Sequence, residues 1–363
     1  APHCPKSSHR HWYTGHNYHE TEVFGANLNA TTQWKLGRTS MGVEFRNEGV
    51  RSNVLGKPMK EPQDVPFEKE GQYLKSDNRS NISYFLEHNV LLRRFTLSVG
   101  VLANYNSALN EGIHFYPGID ASYRIGDNFR LYGSWNRALR MPTFTDLYYE
   151  GKTNKGNPDL KPEESEAFEV GLKYNTYFLR AHIAGFYRKG KNMIDWVKEK
   201  PEDIWESQNL TKVDNLGFET NLSLLPRELG NERFFIRKIE LGYAFIHQDK
   251  DSEGYISNYA LDYLKHKFTA QLSHSIWKGF SATWYVRWQD RAGSYTKYEN
   301  LKPAYEEPYA PYCLVDMKVN WEYQRLNLYA ELNNLLNSTY YDLGNIPQPG
   351  IWFKAGFRYS FKY

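Results

Sequence analysis

Apolar and polar residues alternate along most of this chain with a period of two. Over residues 113–125 one set of positions reads Ile113, Phe115, Pro117, Ile119, Ala121, Tyr123 and Ile125. The interleaved set reads His114, Tyr116, Gly118, Asp120, Ser122 and Arg124. One face is apolar and the other polar, as in a β-strand set between two different surroundings. Residues 351–363 repeat the pattern, with Ile351, Phe353, Ala355, Phe357, Tyr359, Phe361 and Tyr363 against Trp352, Lys354, Gly356, Arg358, Ser360 and Lys362. Segments 21–36, 38–47, 79–92, 94–106, 128–137, 165–175, 177–188, 209–224, 234–248, 265–277, 279–290, 312–322 and 325–335 have the same character. The pattern predicts about fifteen antiparallel strands and no helix.

Strand length and connection order separate a membrane barrel from a water-soluble β-sandwich. Many segments reach 11 residues or more, whereas globular strands typically have about 5 or 6. Short links at 36–40, 91–94, 125–128, 174–177, 277–279 and 323–325, with 225–232 slightly longer, alternate with long ones near 48–78, 138–164, 189–208, 249–264, 290–311 and 336–350, among which only 107–112 is short. Short turns on one rim and long loops on the other are the arrangement of outer-membrane barrels. Trp34, Tyr123, Trp135, Tyr174, Trp288, Trp321 and Tyr359 then fall near strand ends, where aromatic girdles sit at headgroup level.

Composition narrows the choice. Aromatic residues make up 16% of the 363, and the mean hydropathy is −0.71. The longest apolar run, residues 95–103, is about half the roughly 20 residues that a spanning helix needs. Lys and Arg number 45 against 42 Asp and Glu and are scattered along the chain, which disfavours nucleic acid as a partner. Two cysteines, Cys4 and Cys313, leave open a single bridge and exclude a disulfide framework. The first twenty residues do not read as a signal peptide.

Four motifs in order resemble the TonB-dependent receptors of the bacterial outer membrane. They are NRALRMPTFTDLYY (136–149), GNPDLKPEESEAFEVGLKY (156–174), LNNLLNSTYY (332–341) and the aromatic terminus GIWFKAGFRYSFKY (350–363). The resemblance implies an all-β transmembrane antiparallel barrel, of which this chain supplies about fifteen C-terminal strands out of 22, the plug domain and its TonB box being absent from it. Residues 1–20 then form an extracellular loop segment and 21–363 the barrel portion. The implied function is TonB-powered import of a scarce, bulky nutrient, with no cofactor and no catalytic residue. Its implied partners are the TonB complex of the inner membrane acting through the plug, the remaining barrel strands, outer-membrane lipid and a surface lipoprotein lid. Residues 16–30, HNYHETEVFGANLNA, are similar to vitamin B12 receptors, so cobalamin is the first expected cargo and a ferric siderophore the second. A passive porin shares the strands but not the ordered motifs.

The candidate cargo surface consists of loop aromatics: Tyr148, Tyr149, Trp196, Trp205, Tyr255, Tyr295, Tyr298 and Tyr305, with Tyr259 and Tyr309 beside them. Ordinary loop packing competes with cargo contact at each position. His16 and His19 are the compact pair in a histidine-rich start that also holds His3, His9, His11 and Cys4, and they are weak metal candidates. His114 with Asp120, and His182 near Arg180, lack a serine elbow, so hydrolase chemistry is not expected.

Overall fold

The computed structural model describes residues 16–69, 71–109, 112–200, 202–230, 233–251, 254–257, 263–299, 302–344 and 346–361. Cys4, His3, His9, His11, Tyr259 and Tyr363 lie outside the described residues.

Fifteen tall strands follow one another through a single antiparallel sheet. They are β1 (His19–Trp34), β2 (Gly37–Ser52), β3 (Gln72–Leu91), β4 (Phe95–Asn106) and β5 (Ile113–Ile125). Next come β6 (Phe129–Arg140), β7 (Glu163–Asn175), β8 (Leu179–Lys198), β9 (Trp205–Leu224) and β10 (Ile236–Asp251). The series closes with β11 (Leu264–Ser275), β12 (Phe280–Arg291), β13 (Tyr312–Tyr323), β14 (Leu326–Asn333) and β15 (Trp352–Tyr359). Each strand pairs with its neighbours in chain order, so the strand number expected from alternation is the number observed. Among the described residues β1 pairs only with β2 and β15 only with β14, which leaves two open edges.

Register fixes which face is which. Trp135 lies opposite Phe168, Phe168 opposite Tyr187, Tyr187 opposite Leu216, and Phe218 opposite Phe245. The apolar set is therefore continuous across strands and faces outward, while Glu169, His182, Glu219, Lys267 and Arg287 share the other side. All seven aromatics expected at the girdles stand on the outward set. Phe129 meets Tyr174 at 4.5 Å and Phe280 meets Trp321 at 6.0 Å near the short turns. Higher up, Trp135 meets Phe168 at 6.4 Å, and His266 meets Phe245 at 4.9 Å and Trp288 at 6.2 Å. From Phe280 to Trp288 the strand rises about 27 Å, or about 20 Å of height after a tilt near 40°, close to the ~25 Å apolar band of such barrels. No helix among the described residues is long and apolar enough to cross a membrane.

Two expectations need correction. The link expected over 189–208 is mostly strand, because β8 and β9 each run 20 residues and stay paired from Leu179 and Leu224 up to Val197 and Glu206. Above the lipid the outward face no longer has to be apolar, so Lys189, Lys191 and Lys212 break the alternation without ending the pairing. The second concerns helix content: α1 (Phe144–Tyr148) is a five-residue helix inside the long excursion between β6 and β7. Thr143 and Asp146 cap it reciprocally, with Asp146 N donating to Thr143 Oγ1 at 3.1 Å and Thr143 N donating to Asp146 Oδ2 at 3.0 Å. A helix of one turn leaves no periodicity to detect.

The buried apolar residues concentrate on the long-loop side. Val50, Leu55, Val65, Tyr73, Leu147, Leu160, Trp196, Val197, Val213, Tyr295 and Tyr309 are all buried there, above the wall that faces lipid and lumen.

Candidate functional site

The excursion carrying α1 bridges two tall hairpins. Its root is the last rung of β6 and β7, where Arg140 lies opposite Glu163. Arg140 Nε and Nη2 donate to Glu163 Oε2 and Oε1 at 2.5 and 2.6 Å, and Ile194 N of β8 donates to Glu163 Oε1 at 2.8 Å. Glu163 is buried, so the fork is shielded from solvent on the carboxylate side. On one flank Arg79 of β3 donates to Pro142 O at 2.6 Å, stands over the Phe144 ring at 4.8 Å and pairs with Glu48 at 2.7 Å. Tyr148 reaches the same strand, donating its hydroxyl to Asp77 Oδ2 at 2.6 Å. On the other flank Ser207 Oγ of β9 donates to Asp146 O at 2.6 Å, and Asn154 and Lys155 pair in parallel with Trp205 and Glu206.

The expected cargo aromatics separate into four situations. Tyr149 packs edge-on against Trp196 with centroids 6.3 Å apart, Trp196 is buried, and Lys198 Nζ stands 4.5 Å above the Trp205 ring. Tyr149 and Trp196 thus join the excursion to β8, Trp205 sits on β9 under Lys198, and Tyr148 turns to β3. Tyr295 belongs to a separate cluster, buried against Tyr309 at 5.1 Å and Tyr341 at 5.5 Å. That cluster roots a hairpin of two short strands, Ser294–Glu299 and Lys302–Pro308. Tyr298 and Tyr305 ride on this hairpin and are 55% and 53% exposed, free to meet a partner. Tyr255 is half-buried beside the short strand Ile256–Ser257, which pairs with the top of β8.

Electrostatics follows the packing. Burial and the hydrogen bond to Asp77 raise the Tyr148 pKa, so its hydroxyl stays a donor. Burial and the nearby Glu307 carboxylate raise that of Tyr295. Lys297 Nζ lies 2.5 Å from Glu307 Oε2, which lowers the Glu307 pKa and raises that of Lys297. Replacing Tyr148 by Phe is expected to cost about 1 kcal/mol in local stability, by removing a donor to a charged acceptor. Amide hydrogen exchange over 144–149 will show this as a several-fold rise in opening, and an unchanged protection pattern would exclude the bond from the loop's stability.

The metal candidates do not converge. His19 Nδ1 shares a 2.8 Å hydrogen bond with Ser52 Oγ, His16 is exposed with its ring 6.1 Å from Tyr18, and the described residues hold no group of three metal-ligating side chains. His182 lies in a lumenal network with the Tyr132 hydroxyl, which also donates to Glu169. Residues that sequence reasoning missed are Asp77, Arg79, Asp195 and Ser207, together with Arg291, which donates to Asp342 O. They carry no motif, and their roles arise from register and strand height.

A family described as TonB dependent receptor-like, beta-barrel, matches residues 5–335. The vitamin B12 transporter BtuB of Vibrio vulnificus (strain YJ016) is 26% identical over 225 residues, which cover 47% of this chain and 36% of its own length. The ferrienterobactin receptor of Escherichia coli (strain K12) is 22% identical over 297 residues, 74% of this chain and 38% of its own length. This chain therefore spans little more than a third of the length of these curated relatives. Among solved structures, a variant of the ferric enterobactin receptor PfeA of Pseudomonas aeruginosa in complex with enterobactin superimposes with a TM-score of 0.72 at 19% identity, over 94% of this chain and 55% of that one. That likeness concerns the fold, and these relatives are transporters and receptors, not enzymes. The chain belongs to the TonB-dependent receptor-like β-barrel family of the bacterial outer membrane.

Proposed function

We propose that this chain forms the C-terminal strands of a TonB-dependent importer that captures cobalamin at its long-loop rim and passes it along the polar interior of the barrel. The open edges at β1 and β15 require further strands, since an unpaired strand edge is not tolerated in lipid. In this reading residues 16–18 end an extracellular loop and His19 onward is barrel, and the plug and TonB belong to the rest of the protein.

The observation that carries the cargo reading is the character of the rim. It offers exposed aromatic surface at Tyr298 and Tyr305, on a hairpin whose Lys297 is engaged by Glu307, while the exposed Lys60, Lys69, Lys152 and Lys161, which no described carboxylate pairs, lie in other links. An amide-fringed, largely uncharged macrocycle suits aromatic and neutral hydrogen-bonding surface, whereas a polyanionic ferric catecholate calls for free cations. The BtuB relative supports the same cargo. A ferric siderophore is the second reading, supported by the ferrienterobactin receptor matched over 74% of this chain.

The test is binding and uptake of radiolabelled cyanocobalamin by cells that carry the full-length receptor as their sole cobalamin route. Saturable nanomolar binding, with uptake abolished by a protonophore, is expected. Binding of ferric enterobactin alone would overturn the cargo, and uptake indifferent to the protonophore would overturn energised transport. The double variant Tyr298→Ala with Tyr305→Ala is expected to weaken cargo binding about tenfold, the effect of removing exposed aromatic anchors. The Tyr148→Phe variant, whose hydroxyl is spent on Asp77, should leave affinity unchanged.

A further inference from the structure

The long-loop rim holds both paired and unpaired cations, exposed Lys60, Lys69, Lys152 and Lys161 forming no ion pair among the described residues. Around the long-loop rim Arg51, Lys57, Lys75, Arg79, Arg140 and Lys297 each lie against a carboxylate. In the short turns Lys35, Arg93, Arg94, Lys278 and Arg325 are all exposed, and among the described residues none of them forms an ion pair. The carboxylates described in these turns are Asp127 and Glu228. The five cations sit in four separate turns, β1–β2, β3–β4, β11–β12 and β13–β14, so they are spread along the wall and not gathered in one pocket.

Each cation has an exposed apolar companion. Trp34 and Leu36 flank Lys35, Leu91 and Leu92 precede Arg93, Trp277 precedes Lys278 and Tyr323 stands two residues before Arg325. Lys278 Nζ lies 5.0 Å over the Trp277 ring. The turn that presents it is fixed by Gly279, whose φ is +86° and where a Cβ would fall 2.4 Å from Glu322 O. A ring at the edge of the hydrocarbon, with a long basic side chain reaching past it, is the geometry of a residue that places its charge among lipid headgroups. Neighbouring cations without carboxylates, as at Arg93 and Arg94, repel one another unless an anion lies between them.

We propose that the short-turn rim is a collar that binds anionic phospholipid of the periplasmic leaflet, its lysines and arginines engaging the phosphodiester and its aromatic and leucine residues the upper acyl chains. The collar rests on the barrel's orientation in the outer membrane and not on the identity of the cargo. Near-surface Lys and Arg attract anionic lipid additively, and the attraction falls off within a Debye length. The collar therefore discriminates phosphatidylglycerol from phosphatidylethanolamine by charge.

The test uses the full-length receptor in detergent micelles that contain equal phosphatidylglycerol and phosphatidylethanolamine, with the retained lipid quantified by native mass spectrometry. Phosphatidylglycerol should be enriched about fivefold in low salt, with the enrichment lost as salt rises. The triple variant R93Q/R94Q/K278Q should bring the ratio close to that supplied, whereas R51Q/K57Q on the other rim should not change it. No enrichment on the parent protein, as expected if the rim instead serves an acidic periplasmic protein, would overturn the proposal. Enrichment insensitive to salt would overturn it as well, and this arm needs no variant to fold. Heat-modifiable gel mobility of each variant shows whether its barrel has formed.

Discussion

Replacing Arg140 by alanine will release the root of the excursion over residues 141–162 while leaving the barrel wall intact. The guanidinium makes two parallel hydrogen bonds to Glu163, and that carboxylate is buried while the Arg140 side chain is half exposed. The loss is asymmetric. Without Arg140 the carboxylate keeps one neutral donor, the Ile194 amide, and stays in a site where ionisation is costly. Breaking a buried pair by removing one partner costs about 3–5 kcal/mol, and the exposure of Arg140 brings the expectation to about 3 kcal/mol. A cost of this size raises the open population of the excursion about a hundredfold, measurable by hydrogen exchange over 144–160 and by limited proteolysis after Lys152 or Lys155. The companion variant Glu163→Gln should be milder, since it removes the buried charge together with the pair. The double variant should cost less than the sum of the singles, because the two side chains act as one unit. Equal protease resistance in parent and Arg140→Ala receptors would show that the excursion is held by its flanks, Arg79 and Ser207, and not at its root.

That prediction gives physical content to a motif which in the sequence served to identify a family. The Arg and Pro of 140–142, and the Pro-Glu of 162–163, are two halves of one staple, and the distance between them in sequence hides a single rung in space. Alternation could supply the strand number, the outward aromatic set and the two kinds of connection, because each is written in residues i and i+2. It could not supply strand height, because above the lipid either face tolerates Lys, Glu or Asn, as β8 and β9 show over Lys189–Lys198 and Trp205–Lys212. Cargo candidates were legible only as a class. Trp196 and Tyr295 are buried in loop packing, whereas Tyr298 and Tyr305 remain exposed, and that division depends on which loops fold onto which strands. The same holds for Asp77 and Arg79, ordinary polar residues of β3 until the excursion reaches them.

The second large effect belongs to Gly156, within the GNPDLKP segment. Its amide donates to Tyr149 O, and the next amide, of Asn157, donates to Asp146 O at 2.9 Å, so the returning chain lies directly across the end of α1. A Cβ at this position would stand 2.8 Å from Leu147 C, Tyr148 N and Tyr149 N, all backbone atoms of a capped helix turn. No side chain can rotate to make room. Either the return strand lifts off, losing both amide bonds and the seat of Leu160, or α1 moves and pulls Tyr148 from Asp77 and Asp146 O from Ser207. Overpacking against backbone costs about 1–3 kcal/mol, and the hydrogen bonds lost with it add about 1 kcal/mol, so Gly156→Ala should cost about 3 kcal/mol locally. The effect should appear as faster exchange at the amides of Gly156 and Asn157, together with those of 144–149, while the heat-modifiable mobility of the barrel stays unchanged. Because Tyr298 and Tyr305 stand on a separately rooted hairpin, cargo contact there should survive the substitution. If Gly156→Ala abolished cargo binding while exchange over 144–149 remained as in the parent, the excursion would be part of the binding surface itself and not its scaffold.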